Sequence, residues 1–174
     1  MKVLSIDPAL RNTGYAVLER QTISGRKPTY KAITYGVIEN GRKIRQSMCL
    51  VTIREQLREV IKEHQPEICA VEGVIYVQSF KTAITMGAAR GAAILSAAEF
   101  GLEIFEYAPK RVKQAVVGKG AADKQQVAFM IRALLGLKET PPNDAADALA
   151  IGLAHLYEHD PSRVTARADK PGSI

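Results

Sequence analysis

Apolar and polar positions recur with two different periods along the chain, and the change of period separates a strand-forming first part from a largely helical remainder. Residues 2–7 form a short apolar run closed by Asp7, and residues 14–19 predict a second strand after the turn Arg11-Asn12-Thr13-Gly14. Residues 30–39 predict a third, closed by Asn40-Gly41. Short connections between three successive strands imply an antiparallel meander.

The period then lengthens. Met48, Val51, Leu57, Val60 and Ile61 fall at helical spacing, which leaves Arg54, Glu55, Arg58 and Glu59 for the water-facing side. Beyond Pro66, Ile68-Cys69-Ala70-Val71 is a continuous apolar run ending at Glu72, as in a parallel strand covered on both faces. An Ala-rich helix is predicted over residues 79–100, then a short strand over 103–107. A short helix follows over 111–117. Val127, Met130, Ile131, Leu134 and Leu135 mark an amphipathic helix ended by Gly136. After Pro141-Pro142 a last helix runs from Asn143 to about Tyr157. Few apolar groups follow His159. The expected organisation is one α/β domain over residues 1–158, a mixed sheet flanked by helices, and a basic, mobile tail over 159–174.

Composition narrows the function classes. A chain of 174 residues, 47% hydrophobic and 24% charged, suits one globular domain. No apolar run approaches the roughly 18 residues a membrane-spanning helix needs. Residues 83–100 come nearest and are broken by Arg90 and Glu99. No leading segment with a cleavage site is visible, and Cys49 and Cys69 fit no metal or redox spacing. Two buried, reduced thiols and a cytoplasmic location are expected. The net charge of +6 is unevenly placed. Arg20, Arg26, Lys27 and Lys31 form one group, and Arg42, Lys43 and Arg45 a second. Lys110, Arg111, Lys113, Lys119 and Lys124 form a third; Arg163, Arg167 and Lys170 dot the tail. A phosphate-contacting surface has this single-signed look, whereas a solvated face usually mixes signs.

Four acids stand where structure alone does not ask for them. Asp7 and Glu72 each close an apolar strand, and a buried carboxylate is costly unless paired or bound to a cation. In open α/β sheets ligands gather beyond the carboxyl ends of strands. Asp144 and Asp147 stand three apart on the last helix, on one face of its first turn or so. Hard oxygen donors in this number suit Mg²⁺ or Mn²⁺, and two such ions can drive in-line attack on a phosphodiester. A turn-capping role for Asp7 and a helix-end role for Asp144 remain open on spacing alone.

Longer segments carry a resemblance. Ser5-Ile6-Asp7-Pro8-Ala9-Leu10-Arg11-Asn12-Thr13-Gly14-Tyr15 and Ala70-Val71-Glu72 followed by Met86-Gly87-Ala88-Ala89-Arg90-Gly91 carry its first half. Val112-Lys113-Gln114-Ala115-Val116-Val117-Gly118 and Asn143-Asp144-Ala145-Ala146-Asp147-Ala148-Leu149-Ala150-Ile151 complete it. Together, in this order and spacing, they resemble the RuvC-type Holliday junction resolvases over nearly the whole chain up to His155. The resemblance implies an RNase H-like fold with a five-stranded mixed sheet. It implies a homodimer that grips a four-way DNA junction and nicks two strands symmetrically during recombination and repair. Asp7, Glu72, Asp144 and Asp147 match the family's metal-binding acids, for Mg²⁺ with Mn²⁺ as substitute, two ions per site. Lys113 and Lys124 match basic residues near the scissile phosphates, and Lys119 is expected to join them on DNA. A junction-migrating motor complex is implied as a further partner.

This chain departs from the family at two places. Ala9 stands where glycine is usual, so the turn after Asp7 must avoid strongly positive φ. Gly73, Val74 and Ile75 follow Glu72 where the family has glutamine and then a base-stacking aromatic, leaving Tyr76 or Phe80 for that role. Among the Gly87, Ala88, Gly91, Ala92, Leu95 and Ala98 positions a small-residue face is available for a dimer or for packing on the sheet. His155, eight residues beyond Asp147, is expected at the surface or as a cap. Competing readings are an RNase H-like nuclease of RNA–DNA hybrid or structured RNA, a catalytically silent junction binder, and an actin-like ATPase. The last needs a second domain for which the chain has no room.

Overall fold

The computed structural model describes residues 1–73 and 79–163. Five strands and five helices follow one another as β1 (Lys2–Asp7), β2 (Asn12–Gln21), β3 (Thr29–Glu39), α1 (Gln46–His64), β4 (Ile68–Glu72), α2 (Phe80–Ala98), β5 (Glu103–Tyr107), α3 (Pro109–Val117), α4 (Lys124–Leu135) and α5 (Asn143–Glu158). The sheet order is β3-β2-β1-β4-β5. β1 pairs antiparallel with β2, and β2 with β3, while β1, β4 and β5 run parallel. The expected meander and the buried parallel strand are both present.

Strand alternation divides the core in two. Val3, Ile68, Ala70, Phe105 and Tyr107 face the side covered by α3, α4 and α5. Leu4, Ile6, Cys69, Val71 and Ile104 face the side covered by α1 and α2. Both cysteines are free and buried. Helix α5 is apolar almost all round because it is buried almost all round: from Ala145 to Tyr157 only Asp147 escapes full burial. Leu149, Ile151, Leu153 and Leu156 are fully buried, each stabilising by about 1.5–3 kcal/mol. Gly152 lets α5 approach the sheet, since a Cβ there would come within 2.7 Å of the Ser5 hydroxyl.

Three expectations change. On α1 the buried stripe is Cys49, Ile53, Leu57 and Ile61, while Met48 and Val51 are exposed. The predicted stripe shares only Leu57 and Ile61 with the buried one; docking against α2 and the sheet turns Cys49 and Ile53 inward in place of Met48 and Val51. His155 is neither surface nor cap: it is buried, its Nδ1 lies 2.8 Å from the Tyr107 hydroxyl, and it stacks on His159 at 4.0 Å. The expected tail begins as packed structure. Asp160 is buried and bonded to the Tyr30 hydroxyl, and the Arg163 guanidinium lies 3.3 Å from the Tyr157 ring centroid. Arg167 and Lys170 lie outside the described residues.

Candidate active site

Register brings the first two acids together. Ile6 pairs with Val71, so Asp7 and Glu72 are the next residues of adjacent parallel strands, about 4.8 Å apart in backbone spacing. Both follow residues that face α1 and α2, so both side chains turn to the α5 side. Asp7 also pairs with Gly14 on β2. A Cβ at Gly14 would overlap the Asp144 carbonyl, so the bare glycine is what seats the first turn of α5 over the ends of β1 and β2. Asp144 and Asp147 ride on that turn, with Ala145 and Ala146 buried beneath them.

The turn between Asp7 and Asn12 does not use Asp7 as its cap. Thr13 holds it, donating through Oγ1 to the Ala9 carbonyl at 2.6 Å and accepting from the Ala9 amide at 3.3 Å. Ala9 is compatible with this turn, since Gln65 is the sole non-glycine residue with positive φ among the described residues.

Electrostatics make the acids a unit. Burial, then the Glu72 and Asp147 carboxylates, push Asp7 from 3.8 up to about 8. Burial and Asp147 raise Glu72 as well. Lys124 answers part of this charge: its Nζ lies 3.0 Å from Asp147 Oδ2, and that bond raises the lysine's own pKa. The capping box of Asp123 and Gln126 fixes the start of α4 and thereby the root of Lys124. Lys113, half-buried on α3, opposes the rise at Glu72. Helix α3 is tied to α5 by Arg111, which forks onto Glu158 at 2.6 and 2.9 Å. Arg111 is therefore a strut, whereas its third-group neighbours Lys110 and Lys119 are exposed.

Among the described residues no group of three or more acidic, histidine or cysteine side chains stands close enough together to hold a metal ion. The cluster is open, with two strand-end carboxylates facing each other and two more on the overlying helix. Such an arrangement fits Mg²⁺, which takes one or two carboxylates and leaves water and phosphate oxygens to complete its shell. The crowding of acids that disfavours ionisation of Asp7 and Glu72 is the observation that suits a cation, whose charge would favour the ionised forms.

Phe80 is 91% exposed at the head of α2, after the Ser79 cap, at the same end of the molecule. Tyr76 lies outside the described residues. Sequence reading missed the Arg90–Glu106 ion pair and its neighbour Gly73, where a Cβ would come 2.5 Å from Glu106 Oε1. It also missed Arg111–Glu158; the signal in both cases is a half-buried arginine on a helix facing an acid distant in sequence.

Two carboxylates closing adjacent parallel strands of a five-stranded mixed sheet, with two more at the head of the covering helix, place the molecule among the RNase H-like resolvases. The sequence profile described as "Crossover junction endodeoxyribonuclease RuvC" matches residues 3–155. A protein of that name from Akkermansia muciniphila is 56% identical over 161 residues, 92% of this chain and 93% of the relative. The structure described as Thermus thermophilus RuvC in complex with Holliday junction substrate superposes with a TM-score of 0.82 at 33% identity, over 91% of this chain and 94% of that one. The yeast mitochondrial Holliday junction resolvase Ydc2 shares the fold, with a TM-score of 0.59 at 16% identity over 87% of this chain and 76% of the other. This chain belongs to the RuvC family.

Proposed function

We propose that this chain is a homodimeric, metal-dependent endonuclease that resolves four-way DNA junctions by paired symmetric nicks in recombination and repair. The observation that carries the reading is the half-buried, mutually repelling set of Asp7, Glu72 and Asp147 beside Lys124 and Lys113, in a member of the RuvC family.

Asp7, Glu72, Asp144 and Asp147 would hold Mg²⁺, or Mn²⁺ in its place, two ions per site. When bound, the ions supply activation of a water and stabilisation of the leaving oxygen in an in-line phosphodiester attack. The protein's part is placement. The β1–β4 register fixes Asp7 against Glu72, and Gly14 brings the two α5 aspartates over them. Lys113 and Lys124 put positive charge where a phosphodiester would approach, with Lys119 exposed on the turn between α3 and α4. Phe80, free of intramolecular cover, suits stacking on an opened base.

A dimer is supported by α2. Phe80, Ile84, Gly87, Gly91, Leu95 and Ala98 form an exposed stripe at helical spacing. A Cβ at Gly87 or Gly91 would meet nothing within 4 Å, so packing within the chain does not require glycine there. Two sites related by a two-fold axis match a two-fold junction. The motor-complex partner rests on family membership. No helix among the described residues is long and apolar enough to cross a membrane, which is compatible with action on DNA in the cytoplasm.

The test is a labelled four-way junction against a matched duplex, with Mg²⁺ and with EDTA. Paired nicks near the crossover, seen with Mg²⁺ and on the junction alone, support the reading. Asp7→Asn, Glu72→Gln, Asp144→Asn and Asp147→Asn should each lower cutting by at least about 100-fold, in the range seen when a single transition-state charge stabiliser is lost, while junction binding survives. Near-normal cutting in two of the four would overturn the metal site. Nicking of RNA–DNA hybrid in preference to the junction would favour the hybrid nuclease.

A further inference from the structure

The four basic groups along the sequence do not form one surface. β2 runs from Asn12, at the Asp7 end of the sheet, to Gln21 at the other. Ten residues of strand separate the two ends by about 30 Å. Arg26, Lys27 and Lys31 therefore sit at the end remote from the acids, and Arg20 there donates to the His159 carbonyl at 2.5 Å. The loop over 40–45 sits at the catalytic end, because Glu39 pairs with Asn12. It carries Arg42, Lys43 and Arg45, all exposed and none in an ion pair among the described residues.

That loop is fastened to the segment that carries Asp7. Arg11 donates from one guanidinium nitrogen to the Gly41 carbonyl at 2.7 Å, the Ile44 carbonyl at 3.1 Å and the Cys49 sulfur at 3.3 Å. The Asn40 amide donates to the Arg11 carbonyl at 2.7 Å, and the Asn40 side chain to the Leu10 carbonyl at 3.0 Å. The loop closes on itself through Ile44 N–H to the Gly41 carbonyl at 3.0 Å. A charged side chain spending its donors on backbone carbonyls, with three cations displayed on the loop it holds, makes a rigid cationic platform. Holding the backbone that bears the three cations lowers the ordering cost of binding phosphate there.

We propose that Arg42, Lys43 and Arg45 form a second DNA-backbone site, separate from the catalytic lysines, and that Arg11 is its positioning residue. The site takes phosphates of the junction arm. Two strand spacings separate β1 from β3, about 10 Å, so the platform reaches phosphates about three nucleotides from the one at the acids. It leads into α1, which covers the face of the sheet opposite α3 and α4. The assignment rests on the chain acting on DNA junctions.

The test measures junction affinity against salt concentration for wild type and four variants. Removing Arg42, Lys43 and Arg45 together as glutamines should flatten the slope of log Kd on log salt by about two to three, close to 0.9 per lost contact. Arg26→Gln, Lys27→Gln and Lys31→Gln together remove the same charge from the remote end and should leave the slope as in wild type. Arg11→Lys keeps the charge but not the reach and planar geometry that set this one nitrogen among its three acceptors. It should weaken binding towards the level of the loop variant, and combining the two should add little. An unchanged slope in the loop variant overturns the site. Equal flattening by the remote variant also overturns it, in favour of diffuse attraction. Wild-type binding by Arg11→Lys removes that residue's role. Wild-type protein that does not prefer the junction sinks the resolvase reading and this assignment together, whereas preference with an unchanged loop-variant slope sinks this assignment alone.

Discussion

Asp7 is where the proposed function would work against stability. Its folded-state pKa, about 8, lies above the ordinary 3.8, because burial and two acidic neighbours disfavour the charged form. A group raised in this way contributes stability fully below pH 3.8, and that contribution disappears as pH rises through 8. In EDTA, Asp7→Asn should therefore melt at a higher temperature than wild type, with the gap widening from pH 5 to pH 8. Mg²⁺ should raise the melting temperature of wild type far more than that of the variant. A gap that stays flat with pH would mean that Asp7 does not carry the strain. At Gly14 the constraint is steric. Gly14→Ala forces a Cβ into the Asp144 carbonyl and should cost about 1–3 kcal/mol, roughly 2–10 °C of melting temperature, with cutting reduced more than binding. Undiminished melting and cutting would show that α5 can shift freely. The glycine was visible in the sequence as part of a motif, but its reason is a contact with a residue 130 positions away and was not.

At the scale of elements, α5 is both the centre of one core and the bearer of two acids. One end is set by Gly14 and the other by a network in which His155, buried against Tyr107 and His159, is pushed from 6.5 down to about 3. Burial is the main cause, followed by repulsion from His159. A depressed histidine stabilises the fold above pH 6.5 and loses that contribution as pH falls towards 3. Urea midpoints of wild type should drop between pH 6.5 and pH 4 more steeply than those of His155→Gln. This slope is opposite in sign to that of Asp7, so the two separate in the Asp7→Asn background. Equal slopes would return His155 to a role without titration. Periodicity located α5 and its two aspartates. It could not tell that His155 lies inside, because a polar residue near the end of an apolar helix reads the same whether it caps or is buried.

For the whole molecule, the decisive arrangement is that β1, β4, α5, α3, α4 and the 40–45 loop present their charges at one end of the sheet. The α2 stripe faces outward, with Ile84 at 70% and Leu95 at 50% exposure. Ile84→Lys with Leu95→Lys should halve the apparent mass in size-exclusion chromatography and turn paired incision into single nicks. An unchanged mass would mean that α2 is not a dimer surface. The sequence by itself determined the order of elements, the change from antiparallel to parallel strands and the family, and it singled out the four acids as candidates. Those properties are written in local periodicity, in strand-closing carboxylates and in contiguous motifs. Tertiary structure alone decided which α1 stripe is buried, that residues 159–163 pack, that Arg111 is a strut, and which basic groups share an end. The reason is physical: each depends on partners brought close by strand register and helix docking, and neither charge nor hydrophobicity along a chain records which distant residue will lie opposite.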